Sequence, residues 1–500
     1  MPETTTPVAT ERLQTGTPGL DDILNGGPTP ERLYLVEGTP GAGKTTLALR
    51  FLLVGRDAGD RGLYFTLSQT ESELRAVAQT HDWSLDGITL REMVGEDACG
   101  AAHDQTLLHT SELEPGKTVR GIIELVERTE PTRIVVDSLS ELRLLAQNPL
   151  RYRRQIVALK HFFARRRCTV LLLDDRTSDV DDLQLHAIAH GVICLEQLSN
   201  DFGAERRRLR VVRKRGMTYR RGFHDFTIAT GGMRVYPRLV SAEQATTCDA
   251  TPVTTGLAGL DALLLGDGLY PGTNALQAGP AGIGRATTAV RCMIAALDRE
   301  QRAACFLFDE RRTTLKMRCR ALGIDLQPYI DDGRLTIRQI DPTELSPGEL
   351  SNAVRVSVEE GGTQIVVLDS LNACLHAMPG DTFLVLQMHA LLGYLAQRGV
   401  VSLLILGQHG ATGDLRSDVD ISYLADPVLL LRFCAAAGAV RKSIAVVKTR
   451  TSDHERTIRA LSPDHDGLRI GAPIRSFTGR LSGTPVFQQQ TVAHQAGGPS

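Results

Sequence analysis

The sequence predicts an α/β protein built from two tandem copies of one domain. Each copy is a mostly parallel sheet flanked by helices, with an antiparallel extension at its C-terminal end. Three observations carry this. An apolar run, Leu33 to Val36, leads into a glycine-rich loop, Gly38 to Thr45, and then into a stretch with apolar residues at helical spacing. The same landmarks return in the same order later in the chain. Between them, short apolar runs alternate with amphipathic helical patterns, as parallel sheets require.

The loop Gly38-Thr39-Pro40-Gly41-Ala42-Gly43-Lys44-Thr45 fits G-x-x-x-x-G-K-[ST] at every fixed position, with Thr46 opening the helix behind it. Glycines let backbone N–H groups turn inward around phosphates, and the helix N-terminus adds its positive end. Lys44 is expected to reach the β- and γ-phosphates of ATP, and Thr45 to offer its hydroxyl to Mg²⁺.

The repeat is read from four landmarks. Thr15-Gly16-Thr17-Pro18-Gly19-Leu20-Asp21 returns as Thr255-Gly256-Leu257-Ala258-Gly259-Leu260-Asp261. The loop returns as Gly279-Pro280-Ala281-Gly282-Ile283-Gly284-Arg285-Ala286, an offset of 241 residues (279 − 38). Ile134 to Leu139 returns as Val366 to Leu371, and Arg213-Lys214-Arg215 as Lys448-Thr449-Arg450. The copies are expected over residues 11–241 and 250–480, joined by a linker around Ser241 to Thr251. Residues 482–500, rich in Gln, Gly, Ala and Ser, are expected to be a disordered tail.

In the first copy, Gly62 to Leu67 is predicted as a strand and Glu71 to His81 as a helix. Arg133 to Asp137 is a strand ending in an acid, Tyr152 to Arg166 a basic helix, and Thr169 to Asp174 a further strand. Val192–Leu195, Leu209–Val212 and Asp225–Ile228 form the antiparallel extension, with a turn at Gly231-Gly232. The second copy repeats this with strands at Ala275–Ala278, Ala304–Phe308, Ile365–Asp369, Val401–Leu406 and Val428–Phe433.

Composition narrows the function classes. A formal net charge of −2 over 500 residues gives no global field for nucleic acid or an anionic membrane. The cysteines show no C-x-x-C or metal-ligand spacing and are expected as small core residues in a reducing compartment. Met1 to Thr10 lacks an apolar h-region, and no apolar run reaches the ~20 residues of a membrane span. The expected location is cytoplasmic.

These motifs together resemble the KaiC family of RecA-like ATPases over roughly Gln14 to Arg480, and the broad bacterial KaiC-like group more than the circadian oscillator itself. The resemblance implies two RecA-like P-loop domains, stacked as a double-ringed homo-hexamer with ATP between neighbouring subunits. It implies Asp137 and Asp369 at the Walker B position, with Asp137 and Thr45 serving Mg²⁺. It places a catalytic Glu, often one of a pair, just after the second strand. There the first copy has Ser68 and Gln69, and Gln can orient water but cannot accept its proton. Glu71 and Glu73 nearby fit the first turn of a helix. The second copy keeps the acidic pair Asp309-Glu310 but has Arg285 for the P-loop Lys and Ala286 for the metal-binding hydroxyl. Gly279, Gly282, Gly284 and Arg285 are its remaining nucleotide contacts. Arg213, Arg215, Lys448 and Arg450 resemble residues that touch the neighbour's γ-phosphate. A solvated basic edge is the alternative, because Arg206, Arg207, Arg208, Arg210, Arg220 and Arg221 crowd the segment. Ser422 falls at the oscillator's serine phosphorylation site, with Tyr423 in place of its threonine.

The expected function is a slow ATPase ring acting as a regulatory switch with a signalling protein partner. A serine/threonine autokinase, a non-catalytic nucleotide-bound scaffold and a RecA-like DNA-binding protein are the alternatives. The charge and the lack of a separate DNA-binding module argue against the last.

Overall fold

A computed structural model describes residues 12–93, 115–146, 148–176, 183–199, 203–240, 251–266, 268–376, 381–408, 422–436, 439–450, 452–464 and 468–474. The expected linker core at 241–250 and the tail at 482–500 lie outside them. The chain divides into two compact units, Met1–Arg238 and Leu239–Ser500.

The first unit carries one nine-stranded sheet. Its strands are β1 (Leu33–Gly38), β2 (Gly62–Thr66), β3 (Ile88–Glu92), β4 (Arg133–Asp137), β5 (Thr169–Asp175), β6 (Gly191–Leu198), β7 (Arg206–Lys214), β8 (His224–Ala229) and β9 (Gly232–Tyr236), in the order β3-β2-β4-β5-β1-β6-β7-β8-β9. From β3 to β6 neighbours run parallel; β6 to β9 are antiparallel. β5 therefore lies between the strand that feeds the loop and the strand that ends in Asp137. The central strands β1, β2 and β4 are buried throughout, which is why they read as continuous apolar runs.

Both faces are covered. The helix Lys44–Asp57 puts Leu47, Phe51 and Leu52 into a core with Tyr34, Val36, Tyr64 and Leu171. On the other face the helices Pro115–Thr129, Leu139–Ala146 and Pro149–Arg165 pack Ile122, Leu142, Ile156 and Leu159 against Leu35, Phe65, Val136 and Leu172. The second unit repeats the plan. Its strands are β10 (Asn274–Gly279), β11 (Ala303–Leu307), β12 (Leu335–Gln339), β13 (Ile365–Asp369), β14 (Val401–Gly407), β15 (Val428–Ala436), β16 (Ala439–Lys448), β17 (Arg459–Ser462) and β18 (Arg469–Pro473), in the order β12-β11-β13-β14-β10-β15-β16-β17-β18.

Several predicted bounds move. β2 stops at Thr66, the next helix stops at Thr80, and the basic helix runs Pro149–Arg165, started by Asn148 as N-cap with Pro149 at its first position. In the second unit the strand after the P-loop helix is Ala303–Leu307, and β15 reaches Ala436. The edge strands β3 and β12 were not anticipated, because an edge strand is half exposed and its apolar signal is thin.

The opening repeat has a structural cause. Asp21 accepts the Thr15 N–H at 3.1 Å, and Asp261 accepts the Thr255 N–H at 2.9 Å, so each Asp closes the turn leading into its domain. The described cysteines are free, and all are buried except half-buried Cys434. Among the described residues no helix is long and apolar enough to cross a membrane.

The buried Arg133 guanidinium ties three segments together. It pairs with Asp60 at 2.7 Å and donates to the carbonyls of Gln14 and Phe51 at 2.9 Å. A Cβ on Gly55 would fall 2.4 Å from it, so the helix needs glycine there. Breaking a buried pair costs about 3–5 kcal/mol. Arg133→Ala is therefore expected to destabilise the first unit by about that amount in denaturant titration; a loss under about 1 kcal/mol would refute this account of Arg133.

Candidate functional site

β1 delivers the loop at its end, where Gly41 and Gly43 have φ of 79° and 97°. A Cβ on Gly43 would lie 2.5 Å from Ile228 Cδ1, so only glycine turns the chain here. No side chain caps the helix that follows, which leaves its first-turn amides for a ligand. Lys44 is buried and folded back over the loop. Its Nζ donates to the carbonyls of Gly38 and Thr39 at 2.9 Å and pairs with Asp175 Oδ1 at 2.7 Å. Thr46 points elsewhere, to His81 at 3.4 Å.

Asp137 is buried at the end of β4 and accepts from the Tyr64 hydroxyl at 2.6 Å. Thr45 is a further hydrogen-bond partner of that phenol. Burial raises the Asp137 carboxyl above its usual range; the Asp175 charge adds to this, while Tyr64 and Lys44 oppose it. Burial, then Asp137, holds the Tyr64 phenol well above its ordinary range, so it stays a donor. A hydroxyl and a carboxylate are the hard oxygen ligands Mg²⁺ takes, beside an ammonium and free amides for phosphate. The residues fit MgATP. Asp175 and Tyr64 were missed in the sequence: the first lies on another strand, and the second is hidden in the apolar run of β2.

Gln69 sits in the turn after β2. Its backbone is pinned by Thr66 Oγ1, which donates to the Gln69 carbonyl at 2.8 Å and accepts its N–H at 3.0 Å. Its side-chain Oε1 is buried and has no hydrogen-bond partner. Glu71 pairs with Arg75 at 2.7 Å one turn along the helix. Glu73 closes a capping box with Thr70.

The second unit builds the same loop, with Gly282 and Gly284 at φ of 74° and 118°, but fills it differently. Gly407 occupies the place of Asp175 at the end of its strand, and Arg285 lies against it: a Cβ at Gly407 would fall 3.4 Å from Arg285 Nη1. That Nη1 is buried without a partner. Burial pulls the Arg285 pKa down, opposed by Asp369 and Asp309. Glu310 is clamped by Arg318 through two hydrogen bonds of 2.9 and 3.2 Å, and Arg318 also donates to Thr287 Oγ1 at 3.2 Å. Asp309 accepts from Ser370. These groups face a cavity of about 990 Å³; Gly279 ends β10, where the loop begins, and is not part of its lining.

The basic elements are not brought to the loop of their own copy. Arg213 stands opposite Val192, which stands opposite Leu35, three residues before Gly38. That is about 10 Å back along the sheet. Arg213 donates to the His186 carbonyl at 3.2 Å and Arg215 to that of Ala187, while Lys214 turns inward to the carbonyls of Leu24 and Gly27. Lys448 donates to the Ala425 carbonyl at 3.0 Å and Arg450 to that of Tyr423. Ser422 opens a short turn, Ser422–Leu424, and the two residues before it lie outside the described set.

Two mostly parallel sheets, each with a glycine loop feeding a helix and an acid ending a central strand, define a tandem P-loop ATPase fold. The chain belongs to the KaiC family: the KaiC ATPase family model matches residues 13–240 and again 253–473. It is 25% identical over 496 residues to the circadian clock protein KaiC3 of Synechocystis sp., covering 98% of this chain and 97% of that one. It is 24% identical over 487 residues to the circadian clock oscillator protein KaiC 1 of the same organism, covering 95% of this chain and 92% of that one. To the oscillator protein KaiC of Synechococcus elongatus it is 23% identical over 492 residues, at 96% and 92% coverage.

Burial, then the Glu310 charge, raises the Asp369 pKa from 3.8 to about 6. The native state then holds this proton more tightly than the unfolded chain. Asp369 contributes stability that is present below about pH 4 and lost as pH rises to about 6. Amide protection along β13, measured by hydrogen exchange at matched intrinsic rates, is expected to fall across this window. It should stay flat in Asp369→Asn; an equal fall in both proteins would exclude Asp369 as the cause.

Proposed function

We propose that the chain is a regulatory ATPase whose first domain binds MgATP and hydrolyses it slowly. The observation that carries this is the convergence of Lys44, Thr45 and Asp137 on one loop end, beside a Gln69 that lacks a proton-accepting group. On this reading Lys44 exchanges Asp175 and the loop carbonyls for phosphate oxygens. Tyr64 holds one oxygen of Asp137 and also meets Thr45, so the phenol links the two proposed metal groups. Mg²⁺, when bound there, would neutralise charge on the phosphates. Gln69 orients water through its unpartnered Oε1, but the proton has no carboxylate to go to.

The distance of Arg213 and Arg215 from their own loop supports action on a neighbour's site, and hence a hexameric ring. Lys448 and Arg450 stand in the matching position of the second domain. Glu310 and Asp309 are proposed as the acidic pair of that domain, inactive while Arg318 and Ser370 engage them. The relatives' role as clock proteins does not transfer directly. A serine kinase acting on Ser422 would need ATP on a loop that has lost its Lys and its metal-binding hydroxyl. A signalling partner that reads the ring's nucleotide state completes the proposal.

Two outcomes follow. A positioned base contributes about 10²–10⁴-fold, so Gln69→Glu is expected to raise steady-state phosphate release by up to that range. If it leaves the rate flat while Glu71→Gln abolishes it, Glu71 is the base. MgATP is expected to drive assembly to a hexamer in light scattering; a monomer at saturating MgATP would rule out the trans role of Arg213 and Arg215.

A further inference from the structure

The second loop is not simply a weakened copy of the first. The hydroxyl that Mg²⁺ would need is gone and the acidic pair is engaged, so the Walker B carboxylate Asp369, whose charge falls on Arg285, is what remains for a metal beside the anion-binding parts. Ala286 has no hydroxyl. The next hydroxyl, Thr287, accepts from Arg318, and the same guanidinium takes both oxygens of Glu310. Asp309 accepts from Ser370. What is left for an anion is the glycine loop in its left-handed geometry, a helix N-terminus without a side-chain cap, and Arg285 with a buried, unpartnered Nη1. Lys442 reaches the same loop, donating to the Gly282 carbonyl at 2.8 Å. The cavity of about 990 Å³ continues from these groups to an apolar wall that includes Leu468 and Pro463. That volume is ample for a nucleotide-sized ligand.

The exchange of Lys44 and Asp175 for Arg285 and Gly407 explains the orphan cation. In the first copy the P-loop ammonium has a counter-ion at 2.7 Å. In the second that position is a glycine, the longer side chain lies against the space beside it, and Asp369 and Asp309 act on its charge without a hydrogen bond to Nη1. A buried guanidinium edge without a partner carries a desolvation cost that a ligand oxygen would relieve. Its planar fork suits two phosphate oxygens at once, which a lysine cannot match.

We infer that the second domain binds a diphosphate-bearing small molecule as a free, metal-less anion, held by Arg285 and the glycine loop. This rests on family membership and on the second loop alone, not on turnover at the first site. The test uses full-length Lys44→Ala, which disables the first loop, and titrates ADP and inorganic pyrophosphate calorimetrically in EDTA. ADP is expected to bind in EDTA and to gain no affinity when Mg²⁺ replaces it. Pyrophosphate binding as well supports the phosphate contacts as the main determinant; ADP binding alone supports added contacts from the apolar wall.

A hydrogen bond to a charged group is worth about 1.5–3 kcal/mol, so Arg285→Ala should weaken ADP by at least about tenfold. Gly407→Asp, which returns a counter-ion to the cation, should weaken it in the same direction without removing any contact to the ligand. The inference is overturned if neither probe binds in EDTA, if binding requires Mg²⁺, or if both variants bind as the parent does. Loss of MgATP binding in the otherwise unaltered chain would instead count against the first-domain reading, so the two failures are separable.

Discussion

A cation at the mouth of a phosphate loop needs a partner, and how each copy meets that need shapes the rest of its site. In the first copy β5 brings Asp175 up beside the loop, and Lys44 is held at 2.7 Å from it and on two carbonyls. The strand order makes this possible, since β5 runs between β1 and β4. The same Asp175 charge also helps keep the Asp137 carboxyl above its usual range. On the proposed reading an arriving phosphate would replace the carboxylate as the partner of Lys44. In the second copy the strand brings a glycine instead, and the cation has changed with it.

The second difference concerns the acids. Asp309 and Glu310 look like an intact catalytic pair in the sequence, yet both are engaged. Arg318, on the helix that begins just after Glu310, bonds both Glu310 and Thr287, so one side chain engages the proposed base and a hydroxyl. The matching position in the first copy is Val77, an apolar residue packed against the core. On the proposed reading the two halves have diverged in opposite directions: one keeps Lys44, Thr45 and Asp137 with Gln69 at the base position, the other keeps its acids, with Glu310 held by Arg318 and Asp309 by Ser370.

Much of this fold was legible because its central strands are buried on both faces and its loops carry fixed glycines. β1, β4, β5 and their repeats could be read within a residue or two for that reason. β3 and β12, exposed at the sheet edges, could not, nor could the helices Pro115–Thr129 and Leu139–Ala146. At the site, Lys44, Thr45, Asp137, Gln69, Arg285 and Ala286 were visible as motif positions. Asp175, Tyr64, Gly407 and Arg318 were not, because each acts across strands or helices distant in sequence. A motif gives the groups that touch ligand; the groups that hold those in place are set by tertiary register.

The central claim is that metal–nucleotide binding belongs to the first domain alone. It is tested most directly by counting Mn²⁺ bound with ATP to each chain by electron paramagnetic resonance. The account predicts a single metal–nucleotide complex per chain, lost when Thr45→Ala removes the hydroxyl at the first loop. A second equivalent per chain, or a full equivalent surviving in Thr45→Ala, would contradict it.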